Sequence, residues 1–106
     1  MKVSLAIQVL PSMANDQEVC RVVDEAIDEI AKSGLNYVVA PFETTVEGNS
    51  MEELLDLIKR IDQRTFKAGA KQAIYYMKLA HGEEDILSID DKIGKYQEHN
   101  QQAAKE

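Results

Sequence analysis

The chain has 106 residues, of which 44% are hydrophobic and 29% charged, and its formal net charge is −7 at pH 7. This composition is typical of a soluble globular protein, and we expect residues 1–106 to form one domain. The negative charge argues against a nucleic-acid-binding protein, because such binding depends on Lys and Arg residues that neutralise phosphates.

The cysteine content and the N-terminal sequence indicate the cellular compartment in which the protein is expected. Cys20 is the only cysteine, so an intrachain disulfide is impossible and a reducing compartment is expected. The apolar stretch at the N-terminus alternates, lacks a signal-peptide cleavage pattern and is too short to span a membrane. We therefore expect a cytoplasmic protein without a membrane partner.

The first third of the sequence predicts a strand and a helix. Alternating apolar residues from Val3 to Val9 predict a strand that ends at Pro11. Asn15 resembles a helix N-cap and Gly34 a C-terminal glycine, so a helix is predicted between them. The apolar stripe predicted for this helix consists of Val19, Val23, Ile27 and Ile30.

Two short strands and a second helix follow. The strands are predicted over residues 35–40 and 44–47, and Ser50 with Glu53 marks the start of a helix that ends at Gly69. The apolar stripe predicted for this helix consists of Leu54, Leu55, Ile58, Ile61 and Phe66. Basic residues gather near its C-terminal end, where the helix dipole favours them, and we assign them no partner: Lys59, Arg60, Arg64 and Lys67.

The last third predicts a fourth strand over residues 72–80 and a helix that starts at Ser88. Residues 98–106 read as a polar tail that frays. The order β-α-β-β-α-β predicts an α+β, ferredoxin-like sandwich with an extra C-terminal helix, in which two helices cover one face of an antiparallel sheet.

The sheet face without helices, which we call the open face, is the most unusual surface. Alternation places Ser4, Ala6, Gln8, Thr45 and Glu47 on it, and a fourth strand that turns Lys78 outward near the edge adds Ile74 and Tyr76. The phase of the strands at 35–40 and 72–80 is not determined by the sequence. This set of residues is less charged than the solvent-facing side of an ordinary antiparallel sheet. We therefore expect a second copy of the chain to cover it, sheet against sheet, and the C-terminal helix to contribute to that contact.

No catalytic pattern is present in the sequence. His81 and His99 lie in no metal-ligand motif, and Cys20 has no neighbouring base that could activate it. Glu43 and Glu47 stand four residues apart in an extended segment and do not form an acid–base pair, so Glu43 is interpreted as a loop carboxylate. We expect no enzyme activity, no metal and no cofactor.

The remaining polar and aromatic residues suit a binding site. Gln8 and Thr45 offer hydrogen-bond donors and acceptors, and Glu47 offers a negative charge. Flat faces are available on Tyr37, Phe42, Tyr75 and Tyr76. Together they would suit a heteroaromatic ring that carries an amino group and a positive charge. The alternative is that the tyrosines anchor a core or interface and that the open face serves only the assembly of a regulatory or interaction module.

Two stretches, Val3–Pro11 and Tyr37–Gly48, resemble the small thiamine-binding, YkoF-like protein family, and the resemblance extends over nearly the whole chain. Its most specific part is the spacing of Pro41, Thr44, Glu47 and Gly48. The resemblance implies dimers or tetramers built by sheet packing and non-catalytic binding of thiamine or its hydroxymethylpyrimidine moiety in vitamin salvage. The ligand contacts that it implies are Gln8, Thr45 and Glu47, with Thr44, Ser4 and Tyr76 behind them.

Overall fold

The computed structural model describes residues 2–97. Its elements are β1 (Val3–Pro11), α1 (Asp16–Lys32), β2 (Tyr37–Val39), β3 (Thr44–Gly48), α2 (Met51–Lys67), β4 (Ala73–His81) and α3 (Ile89–Ile93), with a 3-10 turn at Gly94–Tyr96. This order confirms the predicted ferredoxin-like α+β fold with an additional C-terminal helix. The polar tail predicted from residue 98 onward lies outside the described residues, as does His99.

The four strands form one antiparallel sheet in the order β2-β3-β1-β4. Ala6 pairs with Thr45 on β3 and with Lys78 on β4, so these three side chains point to the same face. Gln8 pairs with Tyr76. The register therefore confirms the predicted composition of the open face, including the phase of β4, which the sequence did not determine.

The helices cover the other face of the sheet, and the core lies between these two layers. The large side chains that are fully buried come from β1, β3 and both helices: Leu5, Ile30, Val46, Leu54, Leu57 and Ile61. Each such aliphatic side chain contributes about 1.5–3 kcal/mol when it leaves water. The sheet packs against α1 and α2 through one face, and the part of the opposite face that α3 does not cover remains available for binding.

The predicted apolar stripes are confirmed in part, since Leu54 and Ile61 on α2 and Ile30 on α1 are buried, but other predicted positions lie at the edge of the buried faces. On α2, Leu57 and Thr65 are buried, whereas the predicted Leu55 and Phe66 are each 44% exposed. Thr65 tolerates burial because its hydroxyl donates to the Ile61 carbonyl at 2.8 Å. On α1 the buried positions are Val22, Ala26 and Ile30. The predicted residues Val19, Val23 and Ile27 lie only half-buried beside them.

The predicted helix ends are confirmed. The Asn15 side chain accepts the N–H of Glu18 at 2.9 Å, and the Ser50 hydroxyl accepts that of Glu53 at 3.2 Å. Gly34 and Gly69 follow the helices with φ values of 76° and 113°, a backbone conformation that favours glycine. These caps fix where α1 and α2 begin and end over the sheet.

Two of the four basic residues of α2, Arg60 and Arg64, have partners on α1, which corrects the prediction for these two. Arg64 bonds the carboxylates of Glu25, Asp28 and Glu29, with the Asp28 contact at 2.7 Å. Arg60 Nε donates to Glu29 at 3.0 Å. The hydrogen bonds from Arg64, and then from Lys32, hold the pKa of Asp28 below its ordinary value. Charge pairing therefore links the two helices along their outer edge.

Candidate functional site

The register divides the six predicted site residues between the two faces of the sheet. Thr44 pairs with Ile7, which faces the helices, and only 6% of Thr44 is exposed. The other five lie on strand positions of the open face: Ser4, Gln8, Thr45, Glu47 and Tyr76. The fold therefore brings five of the six residues to one surface and separates Thr44 from them.

A cavity of about 290 Å³ lies on the open face beneath α3, and we call it the open-face cavity. Ser4, Ala6 and Thr45 line it from the sheet. Glu43 and Lys78 line it as well, and α3 contributes Ile89, Lys92 and Ile93. Small residues on the two central strands leave room at this point, because larger side chains would fill the space under the helix.

The C-terminal helix α3 packs on its own chain, and its expected contribution to the contact with a second copy stays a prediction. The helix lies over the sheet of its own chain, where Ile89 is 9% exposed and its N–H donates to Glu47 Oε2 at 3.2 Å. A complete capping box starts the helix: Asp91 N–H donates to the Ser88 hydroxyl at 3.0 Å, and Asp91 Oδ2 accepts the Ser88 N–H at 2.9 Å. The Ser88 hydrogen bonds lower the pKa of Asp91. Glu47 thus supplies the link between α3 and the sheet.

Glu47 has a structural role in addition to its predicted one. Its second oxygen accepts a hydrogen bond from the Asn36 side chain at 2.5 Å. Because a carboxylate has about four lone-pair positions, two of them remain for a further donor after Asn36 and Ile89 are bound. Glu47 can therefore still accept a hydrogen bond from an amino group of a ligand that reaches it beside α3.

Glu43, interpreted from the sequence as a loop carboxylate, lies in the loop before β3 and also lines the open-face cavity. Its Oε1 lies 3.5 Å from Lys78 Nζ. Glu43 precedes β3 by one residue, so the alternation that places residues 45 and 47 on the open face also directs residue 43 toward it.

A second cavity, of about 200 Å³, lies on the helix side of the sheet. Thr44 lines it together with Pro41 and Phe42 from the β2–β3 loop. The α1 residues that line it are Val19, Val23 and Ile27, the half-buried stripe. Gln8 and Glu43 also border this cavity. Most of its lining is apolar, and Gln8, Glu43 and Thr44 are the polar side chains that it offers to a ligand.

Only one of the four aromatic residues considered for stacking lies on the open face. Tyr76 is 59% exposed there, opposite Gln8. Tyr37 and Tyr75 pack against the core, and the Tyr75 hydroxyl donates to Asp62 at 2.7 Å. Burial, followed by the hydrogen bond to Asp62, raises the pKa of Tyr75 to about 12. Phe42 is 80% exposed at the second cavity.

Metal binding and membrane crossing find no support in the described part of the chain. Residues 2–97 contain no group of three or more His, Cys, Asp or Glu side chains that could hold a metal ion. Over the same range, no helix combines the length and apolar character needed to cross a membrane.

Comparison with known proteins gives the family. The family model described as thiamine-binding protein matches residues 5–97. The chain belongs to this thiamine-binding family. It is 32% identical over 93 residues to a UPF0045 protein of Clostridium perfringens, covering 88% of this chain and 95% of that protein.

Two solved structures share the fold at a similar level of identity. A DUF77 domain of unknown function from Bacillus cereus has a TM-score of 0.79 and 35% identity, over 93% of both chains. A Thermotoga maritima protein provisionally described as acting in thiamine biosynthesis or salvage has a TM-score of 0.80 and 32% identity, over 92% of this chain and 100% of that chain. The family resemblance inferred from the sequence is thereby confirmed.

Proposed function

We propose that this protein binds thiamine or its hydroxymethylpyrimidine moiety on the open face of the sheet, between the open-face cavity and the Gln8–Tyr76 pair, without catalysing a reaction on it. The observation that carries the proposal is a cavity of about 290 Å³ lined by Ser4, Ala6 and Thr45 in a chain of the thiamine-binding family. We place the protein in the cytoplasm as a single domain that acts as carrier, buffer or sensor in vitamin salvage.

The chemistry of the open face suits an aminopyrimidine. Such a ring presents alternating donors and acceptors along its edge, which the Gln8 amide and the Thr45 hydroxyl can match. Tyr76 offers a ring face for stacking, and Glu47 can accept a hydrogen bond from the exocyclic amine. A net contribution of about 0.5–1.5 kcal/mol from each hydrogen bond would add up to a useful affinity in a site that excludes water.

We also propose that a second copy of the chain covers the part of the open face beyond α3. Leu10 and Ile74 are paired there and are 39% and 48% exposed, next to Tyr76 at 59%. An apolar surface of this kind is usually covered in the working protein. Covering it would enclose the Gln8–Tyr76 end of the site, which places the ligand at a subunit interface. Sedimentation at micromolar concentration tests this point, and a monomer mass would contradict it.

Calorimetry and thermal shift with thiamine and with hydroxymethylpyrimidine test the binding proposal. At a ligand concentration of about 100 times the dissociation constant, the bound protein should gain about 2.7 kcal/mol in stability. Thr45→Val removes one hydroxyl at nearly constant volume and should weaken binding about tenfold. Thr44→Val makes the same change on the helix side of the sheet and distinguishes the two faces.

Three outcomes can be separated. A loss with Thr45→Val and not with Thr44→Val supports the open face, whereas the reverse pattern would move the site to the second cavity. No heat and no thermal shift with either compound at millimolar concentration would contradict the proposed function. If such a protein still forms oligomers, the open face serves assembly, as expected for an interaction module.

A further inference from the structure

The open-face cavity is more positively charged than the rest of the protein. Lys78 from β4 and Lys92 from α3 line it, and Glu43 is the one acidic residue among the described residues that do so. The formal charge of the lining is therefore +1, in a chain whose net charge is −7. A local positive potential within an acidic protein favours an anionic group at this point and disfavours a cationic one.

Several hydrogen-bond donors in this cavity have no partner among the described residues. Within residues 2–97, the side chains of Ser4, Thr45 and Lys92 have no hydrogen bond or ion pair. Over the same range the Lys78 ammonium group has one contact, to Glu43 at 3.5 Å, which is too long for a strong hydrogen bond. Two hydroxyl groups and two ammonium groups thus line a single cavity and remain available to a ligand.

The chemistry of these donors matches a phosphate monoester. Such a group carries a charge of about −1.5 to −2 near pH 7 and has three strong acceptor oxygens. Serine and threonine hydroxyls and lysine ammonium groups are ordinary donors to phosphate oxygens. The one carboxylate in the described lining, Glu43, lies beside Lys78, so the two lysines still leave the lining with a net positive charge. Glu47 is not one of the lining residues and is bound to Asn36 and Ile89.

The arrangement along β1 assigns the two ends of the ligand. Ser4 and Gln8 are four residues apart on the same face, a separation of about 13 Å along the strand, and Tyr76 lies opposite Gln8. We propose that the cavity beneath α3 is an anion subsite, formed by Lys78, Lys92, Ser4 and Thr45, that selects the phosphate monoester of the ligand over the free alcohol. This inference rests on the proposed function, and it places the aromatic ring toward Gln8 and Tyr76.

Isothermal titration calorimetry with paired ligands tests the subsite. The pairs are thiamine with thiamine monophosphate, and hydroxymethylpyrimidine with its monophosphate. We expect each phosphate ester to bind the unmodified protein at least about tenfold more tightly than its alcohol, because charge-assisted hydrogen bonds exceed neutral ones in strength. The preference should shrink as ionic strength rises, since screening weakens the attraction.

Lysine variants test which residues cause the preference for the phosphate esters. Lys92→Gln and Lys78→Gln should each reduce ester affinity about tenfold while the alcohols change less than about threefold. Lys59→Gln, an exposed lysine on α2, removes the same charge away from the cavity and should leave both affinities unchanged. A loss with Lys59→Gln equal to that with Lys92→Gln would show a general charge effect and overturn the subsite.

The outcomes for the subsite and for the proposed function differ. Alcohols that bind as tightly as their esters would overturn the subsite and leave the proposed function standing. An ester preference that survives in the Lys78→Gln, Lys92→Gln double variant would overturn the assignment to these residues. Failure of all four compounds to bind would overturn both.

Discussion

Glu47 and Ile89 connect the sheet to the C-terminal helix, since Glu47 Oε2 accepts the Ile89 N–H at 3.2 Å. The first N–H groups of a helix have no partner within it, so an acceptor from the sheet satisfies one of them. Glu47 therefore holds in place the helix that covers the open-face cavity. The same residue is predicted to contact the ligand.

Glu47→Ala should loosen α3 without unfolding the sheet. The variant loses the acceptor for Ile89, at a cost of about 1 kcal/mol, so amide hydrogen exchange over Ile89–Ile93 should accelerate while β1 remains protected. Hydrogen-exchange mass spectrometry measures both regions. Glu52→Gln, at an exposed position in the first turn of α2, is the control, and unchanged exchange in Glu47→Ala would contradict the link.

Glu47→Gln examines the ligand contact separately, because glutamine keeps one acceptor oxygen for α3 while it removes the charge. Binding of an amino-bearing or cationic ligand should weaken by about tenfold, as expected for the loss of one charge-assisted hydrogen bond. Calorimetry measures the affinity, and exchange over α3 reports whether the helix stays in place. An unchanged affinity would remove Glu47 from the ligand site.

Gly48→Ala should destabilise the protein by creating a collision with α2. A Cβ atom at Gly48 would lie 2.7 Å from Leu54 Cγ, and Leu54 is fully buried, so it has little room to move. Overpacking of this kind costs about 1–3 kcal/mol. In a Leu54→Ala background the space is open, and the same change should cost much less. Urea unfolding of the four proteins completes the cycle, and equal costs in both backgrounds would disprove the collision.

Leu57→Ala and Leu55→Ala should differ sharply in stability although both remove a leucine from α2. Leu57 is fully buried, so its truncation should cost about 2–5 kcal/mol. Leu55 is 44% exposed, and its truncation should cost less than about 1 kcal/mol. Chemical denaturation of both variants measures the difference. Similar losses would mean that Leu55 is buried in the working protein, for example by a partner.

Leu55 and Leu57 also show where sequence reasoning succeeded and failed. The period of a helix is visible in the sequence, so the existence of α2 and its caps could be predicted. The choice between two leucines two positions apart depends on how the helix rotates against the sheet, which only tertiary packing decides. Strand alternation gave a more reliable face assignment because its period is 2, as the shared face of Ala6, Thr45 and Lys78 shows.

The site was predicted less completely than the fold. Alternation predicted the open-face positions of Ser4, Gln8, Thr45 and Glu47 correctly, whereas the position of Tyr76 follows from the register with β1, because the sequence left the phase of β4 open. The position of α3 over the cavity could not be predicted, because it depends on the contact of Ile89 with Glu47, 42 residues apart in the sequence. For the same reason, the sequence does not show that Lys92 lines the cavity.

Tyr75 should make stability fall at high pH. Its pKa is raised from 10.0 to about 12, mainly by burial, so the unfolded chain releases this proton before the folded protein does. The contribution is complete below about pH 10 and is lost as pH rises toward about 12. Tyr75→Phe should show a shallower decline over that range. In an absorbance titration of the folded protein, the tyrosine that ionises at the highest pH should be missing from Tyr75→Phe. If the titration curve of the variant is unchanged, Tyr75 is not the residue with the raised pKa.

Asp28→Asn should destabilise the protein at neutral pH and have little effect in acid. The hydrogen bonds from Arg64 and Lys32 lower the pKa of Asp28 below 3.8, so the unfolded chain binds this proton first as pH falls. The contribution of Asp28 is therefore present above about pH 4 and is lost below it. Denaturation at pH 7 and at about pH 2.5 measures the change, with Asp24→Asn, exposed on the same helix, as the matched control. Because the Asp28 contacts are accessible to solvent, added salt should also reduce the difference at pH 7. A loss that persists unchanged in acid would indicate that Asp28 stabilises the helix pair by packing, not by charge.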